Sequence, residues 1–169
     1  MAVLSEGNLT FIFKEPSQAI QYDNWSFFRN QFQSTCGSAK AVDMICIANN
    51  ITWLIEIKDY RQHRRTKPME LGNEIAIKVR DTLAGLVAAK FNANDPQEKC
   101  FAKNALGSQV IKVVLHLEQP ENQSRLFPKP INLASVKQKL KKQLKAIDTH
   151  PSIVNQHDLK VNMEWTVTG

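Results

Sequence analysis

Cysteine, glycine and long apolar segments are all scarce in this chain of 169 residues. The three cysteines, Cys36, Cys46 and Cys100, form no CxxC pair, which argues against a disulfide framework and a zinc knuckle. Unpaired thiols are typical of a reducing compartment, so we expect a cytoplasmic protein. No apolar run approaches transmembrane length, and the first ten residues lack the pattern of a signal peptide. We therefore expect no membrane partner.

Several common catalytic motifs are also missing. There is no G-x-S-x-G, Walker or G-x-G-x-x-G pattern, which leaves serine hydrolases, P-loop enzymes and dinucleotide-binding enzymes without support. What the chain does have is basic charge, with a formal net charge of +6 and a pI of about 9.3. A basic surface favours polyanionic partners such as nucleic acid. The length predicts a single domain over residues 1–169, with a substantial hydrophobic core.

Segments with strand and helix patterns are mixed along the whole length. This mixture predicts an α/β domain with a mixed central β-sheet flanked by helices. Period-two or β-rich segments predict strands, and apolar stripes at spacings of three and four predict helices. The predicted strands are 8–13, 40–48, 51–59, 109–118 and 158–168, and the predicted helices are 24–33, 68–91, a short one from Asp95, and 132–147.

Two β-rich segments separated by Asn49 and Asn50 predict a hairpin. Asparagine tolerates the positive φ that tight hairpin turns need. Pairing outward from this turn places Asp43 opposite Glu56, and side-chain alternation puts Lys58 on the same face as both. The hairpin therefore predicts two adjacent carboxylates with an ammonium beside them.

Two carboxylates directly opposite each other repel, and burial would raise the pKa of one of them. A hard divalent cation removes this problem, because carboxylate and carbonyl oxygens are the ligands that Mg²⁺ takes. A bound metal ion can activate water and offset the charge of a phosphoryl group, and a lysine can orient that water. The arrangement is typical of a site that cleaves phosphodiester bonds.

The stretch VDMICIANNITWLIEIKDYR resembles the core of the PD-(D/E)XK nuclease superfamily, which has the restriction-endonuclease-like fold. The resemblance implies that Asp43, Glu56 and Lys58 are catalytic. It also implies that Asp43, Glu56 and the carbonyl of Ile57 bind Mg²⁺, with Mn²⁺ as a substitute, and that Lys58 acts on the attacking water.

The chain departs from the family pattern at two points. Val42 stands where the family usually has proline. The family also has a strand between its first helix and the aspartate strand, and none is visible after Phe32. Either segment 8–13 takes that place, or the helix predicted at 24–33 is partly a strand. Some members add an acid from the first helix, for which Asp23 and Glu15 are candidates.

Five basic or imidazole side chains follow the hairpin. We predict that they contact phosphates, whereas the alternative is an ordinary solvated loop. They are Arg61, His63, Arg64, Arg65 and Lys67. Lysines on the helix at 132–147 are expected mainly to solubilise an exposed face, with nucleic-acid contact as the alternative. Glu74 and Lys78, four residues apart on one helix, predict a surface ion pair, with a contribution to the site as the alternative.

The leading hypothesis is a Mg²⁺-dependent nuclease acting on DNA, which dimerises or depends on a partner protein for targeting. One alternative is a non-catalytic basic α/β module that binds nucleic acid or protein. Another is a nuclease directed at RNA, because the sequence does not separate the two substrates.

Overall fold

The computed structural model describes residues 1–63, 65–120 and 131–169. Over these residues the chain forms eight β-strands and three α-helices. The strands are β1 (Ala2–Glu6), β2 (Leu9–Phe13), β3 (Gln18–Gln21), β4 (Met44–Ala48), β5 (Ile51–Asp59), β6 (Val110–Glu118), β7 (Ser152–Val154) and β8 (Trp165–Thr168). The helices are α1 (Leu71–Asn92), α2 (Pro96–Gly107) and α3 (Leu133–Leu144).

The larger sheet has five strands in the order β3-β4-β5-β6-β7. β3, β4 and β5 are antiparallel neighbours, whereas β6 runs parallel to β5, and β7 runs parallel to β6. α1 and α2 make the long crossover that a parallel pair requires. This mixed sheet with flanking helices confirms the predicted α/β fold class.

The hairpin between β4 and β5 forms where the two asparagines predict it. Asn49 and Asn50 have φ values of 50° and 62°, the left-handed conformation that a two-residue hairpin turn needs. Ile47 pairs with Thr52 and Met44 with Ile55, which is the predicted register. The face that includes Asp43 and Glu56 is therefore set by the turn.

α1 packs one apolar stripe against this sheet. Leu71, Ile75, Val79 and Leu86 are buried at helical spacing, and they share a core with Ile45 and Leu54 of the hairpin. The opposite face of the sheet is covered by the smaller sheet, which has the order β1-β2-β8. The charged cluster described below is on the side that carries α1.

α2 begins as the sequence predicts. The side chain of Asp95 accepts hydrogen bonds from the backbone N–H groups of Gln97 and Glu98, and Pro96 occupies the first turn. The carboxylate of Glu98 instead accepts from the backbone N–H groups of Ser26 and Phe27, at 2.7 and 3.0 Å. It thereby joins α2 to the helical turns that follow β3.

Neither predicted explanation of the missing strand is correct. β2, within segment 8–13, belongs to the smaller sheet, and segment 24–33 has no strand but helical turns at 22–24 and 28–32. β3 precedes those turns and pairs with β4 at the edge of the larger sheet. Its four residues, QAIQ, are too few to show a period-two pattern.

The C-terminal part differs from the prediction in three ways. α3 ends at Leu144 rather than at residue 147, and the strand β7 was not predicted. Of segment 158–168 only Trp165–Thr168 is a strand, because residues 158–164 are irregular, with a turn at 161–162. Within the described part of the chain, no helix is long and apolar enough to cross a membrane.

Candidate cation and nucleic-acid site

The hairpin brings the carboxylates of Asp43 and Glu56 together. Asp43 directly precedes β4, and its Oδ2 accepts a hydrogen bond of 2.6 Å from the backbone N–H of Ile57. Asp43 is 8% exposed and Glu56 is fully buried. A single ammonium, Nζ of Lys78, lies 3.3 Å from Asp43 Oδ1 and 2.6 Å from Glu56 Oε1. The two carboxylates therefore face one shared position.

Lys58 contributes a second ammonium from β5. Its Nζ lies 2.5 Å from Glu56 Oε1, the same oxygen that Lys78 contacts. Glu56 Oε2 is buried and has no hydrogen-bond partner among the described residues. Both positive charges are thus directed at one side of the Glu56 carboxylate, and its second oxygen is left unpaired.

Burial, followed by repulsion from Asp43, raises the pKa of Glu56 to about 7. The ammonium groups of Lys58 and Lys78 act in the opposite direction but do not offset the loss of water. For Lys78, burial favours the neutral amine, but the carboxylates of Glu56 and Asp43 prevail and raise its pKa. Lys78 is therefore charged at neutral pH, whereas the carboxyl group of Glu56 holds its proton more tightly than an exposed glutamate does.

Lys78 was not predicted as a main component of this cluster. Its spacing from Glu74 predicted a surface ion pair, but in the structure each of these two side chains contacts other residues. Glu74 pairs with Arg65 and Lys67, whereas Lys78 points toward the hairpin. The prediction was wrong because four-residue spacing states only that two side chains share a helix face, and this face of α1 packs against the sheet. The Lys78 side chain is only 15% exposed. This burial, which the sequence does not reveal, places Lys78 in the cluster.

Two further carboxyl groups surround the cluster. Glu6, at the end of β1, and Asp23, after β3, are both partly buried, and burial followed by repulsion from Asp43 raises the pKa of each. A hydrogen bond of 2.7 Å from Gln21 Nε2 to the carbonyl of Ser5 holds β1 beside β3. Glu15, the other acid considered from the sequence, is exposed and pairs with the N-terminal amine.

The residues present fit a divalent cation of the Mg²⁺ type. Asp43 and Glu56 converge, Glu56 Oε2 is an unpartnered buried acceptor, and the Ile57 carbonyl belongs to the same strand. Two carboxylates plus a carbonyl leave positions for water, as Mg²⁺ prefers. Among the described residues no three His, Cys, Asp or Glu side chains gather as a metal-binding group, so water would have to complete the shell.

The basic loop after β5 is largely committed to internal contacts. Arg61 forms a bidentate ion pair with Asp59 and also donates a hydrogen bond to the carbonyl of Gly169. Arg65 Nη1 and Lys67 Nζ each lie 2.6 Å from a carboxylate oxygen of the buried Glu74. His63 is exposed, and Arg64 lies outside the described residues.

α3 carries the densest run of exposed positive charge in the described chain. Its apolar residues Val136, Leu140 and Leu144 are buried, and the helix contains no acidic residue. Lys139 pairs with Glu70 at 2.7 Å. The other lysines on its outer face are exposed: Lys137, Lys141, Lys142 and Lys145.

A groove of about 520 Å³ separates α3 from the start of α1. Arg65, Lys139 and Lys142 are among the side chains that line it, beside Leu71 and Asn132. It does not include the Asp43 and Glu56 carboxylates. The buried carboxylate–ammonium cluster and the exposed basic surface are therefore separate features of the described residues.

His116 and Glu118, two residues apart on β6, form a buried hydrogen bond of 2.8 Å. Burial lowers the pKa of His116, although Glu118 acts in the opposite sense. Glu118 also accepts from the backbone N–H of Gln156, and the His116 ring packs edge-on against Phe11. These contacts make the pair part of the packing between the two sheets.

Comparison with known proteins gives one informative similarity. The chain is 33% identical to a cysteine–tRNA ligase of Neisseria meningitidis, over an alignment that covers 99% of this chain and 30% of the ligase. The chain thus spans about a third of the length of that relative. No protein-family model matches the chain, and no solved structure matches it.

This similarity corrects the predicted activity. The relative is a ligase that acts on tRNA, whereas the sequence predicted a Mg²⁺-dependent nuclease, with DNA or RNA as the substrate. The nuclease prediction is therefore contradicted. The geometry also differs from the expected one, since the ammonium of Lys78 occupies the shared position between Asp43 and Glu56.

Proposed function

We propose that this chain is an RNA-binding domain that holds tRNA for a protein related to cysteine–tRNA ligases. The observation that carries the proposal is the similarity to such a ligase along 99% of the chain. The net charge of +6 supports it, because phosphate neutralisation by lysine and arginine supplies most of the non-specific affinity for nucleic acid. Three free cysteines among the described residues agree with a cytoplasmic location.

The exposed face of α3 is the proposed contact surface. Lys137, Lys141 and Lys145 recur every four residues, so they lie roughly 6 Å apart along one side of the helix. No acidic residue of α3 neutralises them. The groove beside α3 extends the basic surface toward Arg65. Contacts of this kind position a phosphate backbone without reading its sequence, so selectivity for tRNA would come from shape.

The basic loop takes a smaller part in this proposal. Glu74 holds Arg65 and Lys67, and Asp59 holds Arg61, so these cations are already paired. Lys67 is 60% exposed and remains able to reach a phosphate from its ion pair. His63 is also exposed.

We also propose that the Asp43–Glu56 cluster binds Mg²⁺ or Mn²⁺ through both carboxylates and the carbonyl of Ile57. When bound, the ion would supply a positive charge that attracts a phosphate oxygen. The hairpin, the Glu56–Ile57–Lys58 segment and the parallel strand β6 support a restriction-endonuclease-like core. The role proposed for that core is binding.

The test is equilibrium binding of a fluorescently labelled tRNA, compared with a DNA duplex of similar length, at several salt concentrations in EDTA. We expect tighter binding to tRNA, and an affinity that falls steeply with salt. Replacing Lys137, Lys141, Lys142 and Lys145 by glutamine should weaken binding at least tenfold and reduce the log–log salt slope by up to about four.

The matched control is a second fourfold variant with the same change in charge. Lys14, Lys40, Lys99 and Lys103 are exposed lysines away from α3, and their replacement by glutamine should have a much smaller effect. Equal losses in the two variants would mean that only net charge matters and would refute α3 as the contact surface. Failure of the wild-type chain to prefer tRNA over DNA would refute the proposed function itself.

A further inference from the structure

The position of Lys78 leads to an inference about how the cation site is controlled. Its side chain leaves α1 and reaches the hairpin, where Nζ contacts Asp43 Oδ1 and Glu56 Oε1 simultaneously. It is 15% exposed and so is largely removed from water. An ammonium that bridges two converging carboxylates stands where a divalent cation would share the same oxygens.

Charge balance makes the two occupants mutually exclusive. Asp43 and Glu56 carry two negative charges when ionised, and Lys58 and Lys78 supply two positive charges beside them. A divalent ion added to that arrangement would leave a buried excess of two positive charges. Like charges this close are strongly unfavourable where water is excluded. The ion is therefore accommodated only if an ammonium withdraws, and Lys78 is the one that contacts both carboxylates.

Glu6 and Asp23 are the acids that would receive the withdrawn ammonium. Burial raises the pKa of both carboxyl groups, and the charge of Lys78 acts to lower it. One carboxylate oxygen, Asp23 Oδ1, is buried without a hydrogen-bond partner in the described chain. A lysine side chain is a flexible four-carbon stem, so it can swing between neighbouring acceptors.

We propose that Lys78 is a built-in competitor of the divalent cation. It occupies the Asp43–Glu56 position in the metal-free protein and moves toward Glu6 and Asp23 when Mg²⁺ or Mn²⁺ binds. The consequence is a weakened cation affinity, so that the site is loaded only at high cation concentration or when a bound phosphate draws the lysine away. This inference rests on the cation site proposed above and does not depend on tRNA binding.

The test measures Mn²⁺ binding to the full chain without RNA, by the electron paramagnetic resonance signal of free Mn²⁺. Lys78→Met removes the charge and nearly keeps the length, and Lys78→Gln is a second neutral variant. Both should bind Mn²⁺ at least tenfold more tightly than the wild type. Lys78→Arg retains the charge and should stay within about threefold of the wild type. Adding Asp43→Asn to Lys78→Met should abolish the gain.

Thermal unfolding gives an independent readout. Without a metal ion, Lys78→Met leaves two buried carboxylates without their shared counter-ion and should unfold at a lower temperature than the wild type. Mn²⁺ should raise the unfolding temperature of Lys78→Met more than that of the wild type, since a ligand that binds only the native state stabilises it.

The outcomes separate the two proposals. Mn²⁺ binding of equal strength in the wild type and both neutral variants would refute competition and leave the cation site standing. Absence of Mn²⁺ binding at millimolar concentration in every variant would refute the site and the competition together. The binding of tRNA in EDTA is a separate measurement, so its failure would refute the RNA-binding function alone.

Discussion

Glu74 provides the most direct test of the electrostatics around the basic loop. The side chain is buried, with an exposure of 1% for the whole residue, and it faces Arg65 and Lys67. Burial alone would raise the pKa of this carboxyl, but the hydrogen bond from Lys67 and the ion pair with Arg65 lower it from 4.5 to about 2. Glu74 is therefore ionised in the native state at any pH where the protein is studied.

The downward pKa shift converts into a contribution to stability. A pKa difference of about 2.5 between the unfolded and folded states corresponds to at most about 3.5 kcal/mol, because each pKa unit is worth about 1.4 kcal/mol. The figure is an upper bound, since Lys67 is 60% exposed and its attraction is screened by solvent. Because the folded pKa is depressed, this contribution is fully present above about pH 4.5 and is lost as the pH falls toward 2.

The substitution Glu74→Gln keeps the shape of the side chain and removes its charge. We expect the free energy of unfolding to fall by up to about 3.5 kcal/mol at pH 7. The part of this loss that depends on ionisation of Glu74 should shrink to about 1.4 kcal/mol at pH 3. Urea unfolding followed by tryptophan fluorescence, at both pH values, measures the difference from the wild type.

Glu70→Gln is the matched control. Glu70 directly precedes the same helix and pairs with Lys139 at 2.7 Å, but its side chain is 67% exposed. An exposed pair contributes little, so the variant should stay within about 0.5 kcal/mol of the wild type at both pH values. The reasoning would be refuted if Glu74→Gln behaved like this control. It would also be refuted if the loss in free energy of unfolding were the same at pH 7 and pH 3.

Two further substitutions test packing around the site. Gly85→Ala would place a Cβ 2.1 Å from the hydroxyl oxygen of Tyr22, so we expect the free energy of unfolding in urea to fall by about 1–3 kcal/mol. The control is Gly107→Ala, whose Cβ would have no neighbouring heavy atom within 4 Å, and it should leave the free energy of unfolding unchanged. The backbone N–H of Val42 donates to Thr82 Oγ1 at 3.0 Å, and both residues are buried. Thr82→Val should therefore lower the unfolding temperature by leaving that donor unpaired, at a cost of about 1–3 kcal/mol, whereas Thr82→Ser retains the acceptor and should cost less.

The hairpin is the part of the molecule that local sequence specifies most completely. Asn49 and Asn50 determine the turn, the turn determines the register, and the register places Asp43 beside Glu56. The α2 cap at Asp95 and the buried stripe of α1 are local in the same sense. Each of these features depends on residues that are close in the sequence, so it can be predicted from the sequence alone.

The remaining features depend on contacts between distant segments. β3 has four residues and pairs with β4 across the helical turns, so no local period distinguishes it from a loop. The smaller sheet joins β2 to β8 from opposite ends of the chain. The ion-pair partners of Glu74 and Lys78 likewise depend on the face of α1 that packs against the sheet. Periodicity alone does not determine that face.

Lys78 shows why the Asp–Glu–Lys pattern was not sufficient to predict the activity. The pattern specifies two carboxylates and one ammonium, an arrangement with net negative charge that attracts a cation. A second ammonium, 35 residues beyond Asp43, changes that balance, because Lys78 contacts both carboxylates and supplies the positive charge there. The same hairpin can therefore remain stable without a metal ion, and retention of the three pattern residues does not by itself indicate cleavage chemistry. Lys78, the residue whose ammonium bridges the two carboxylates, is on α1, outside the motif.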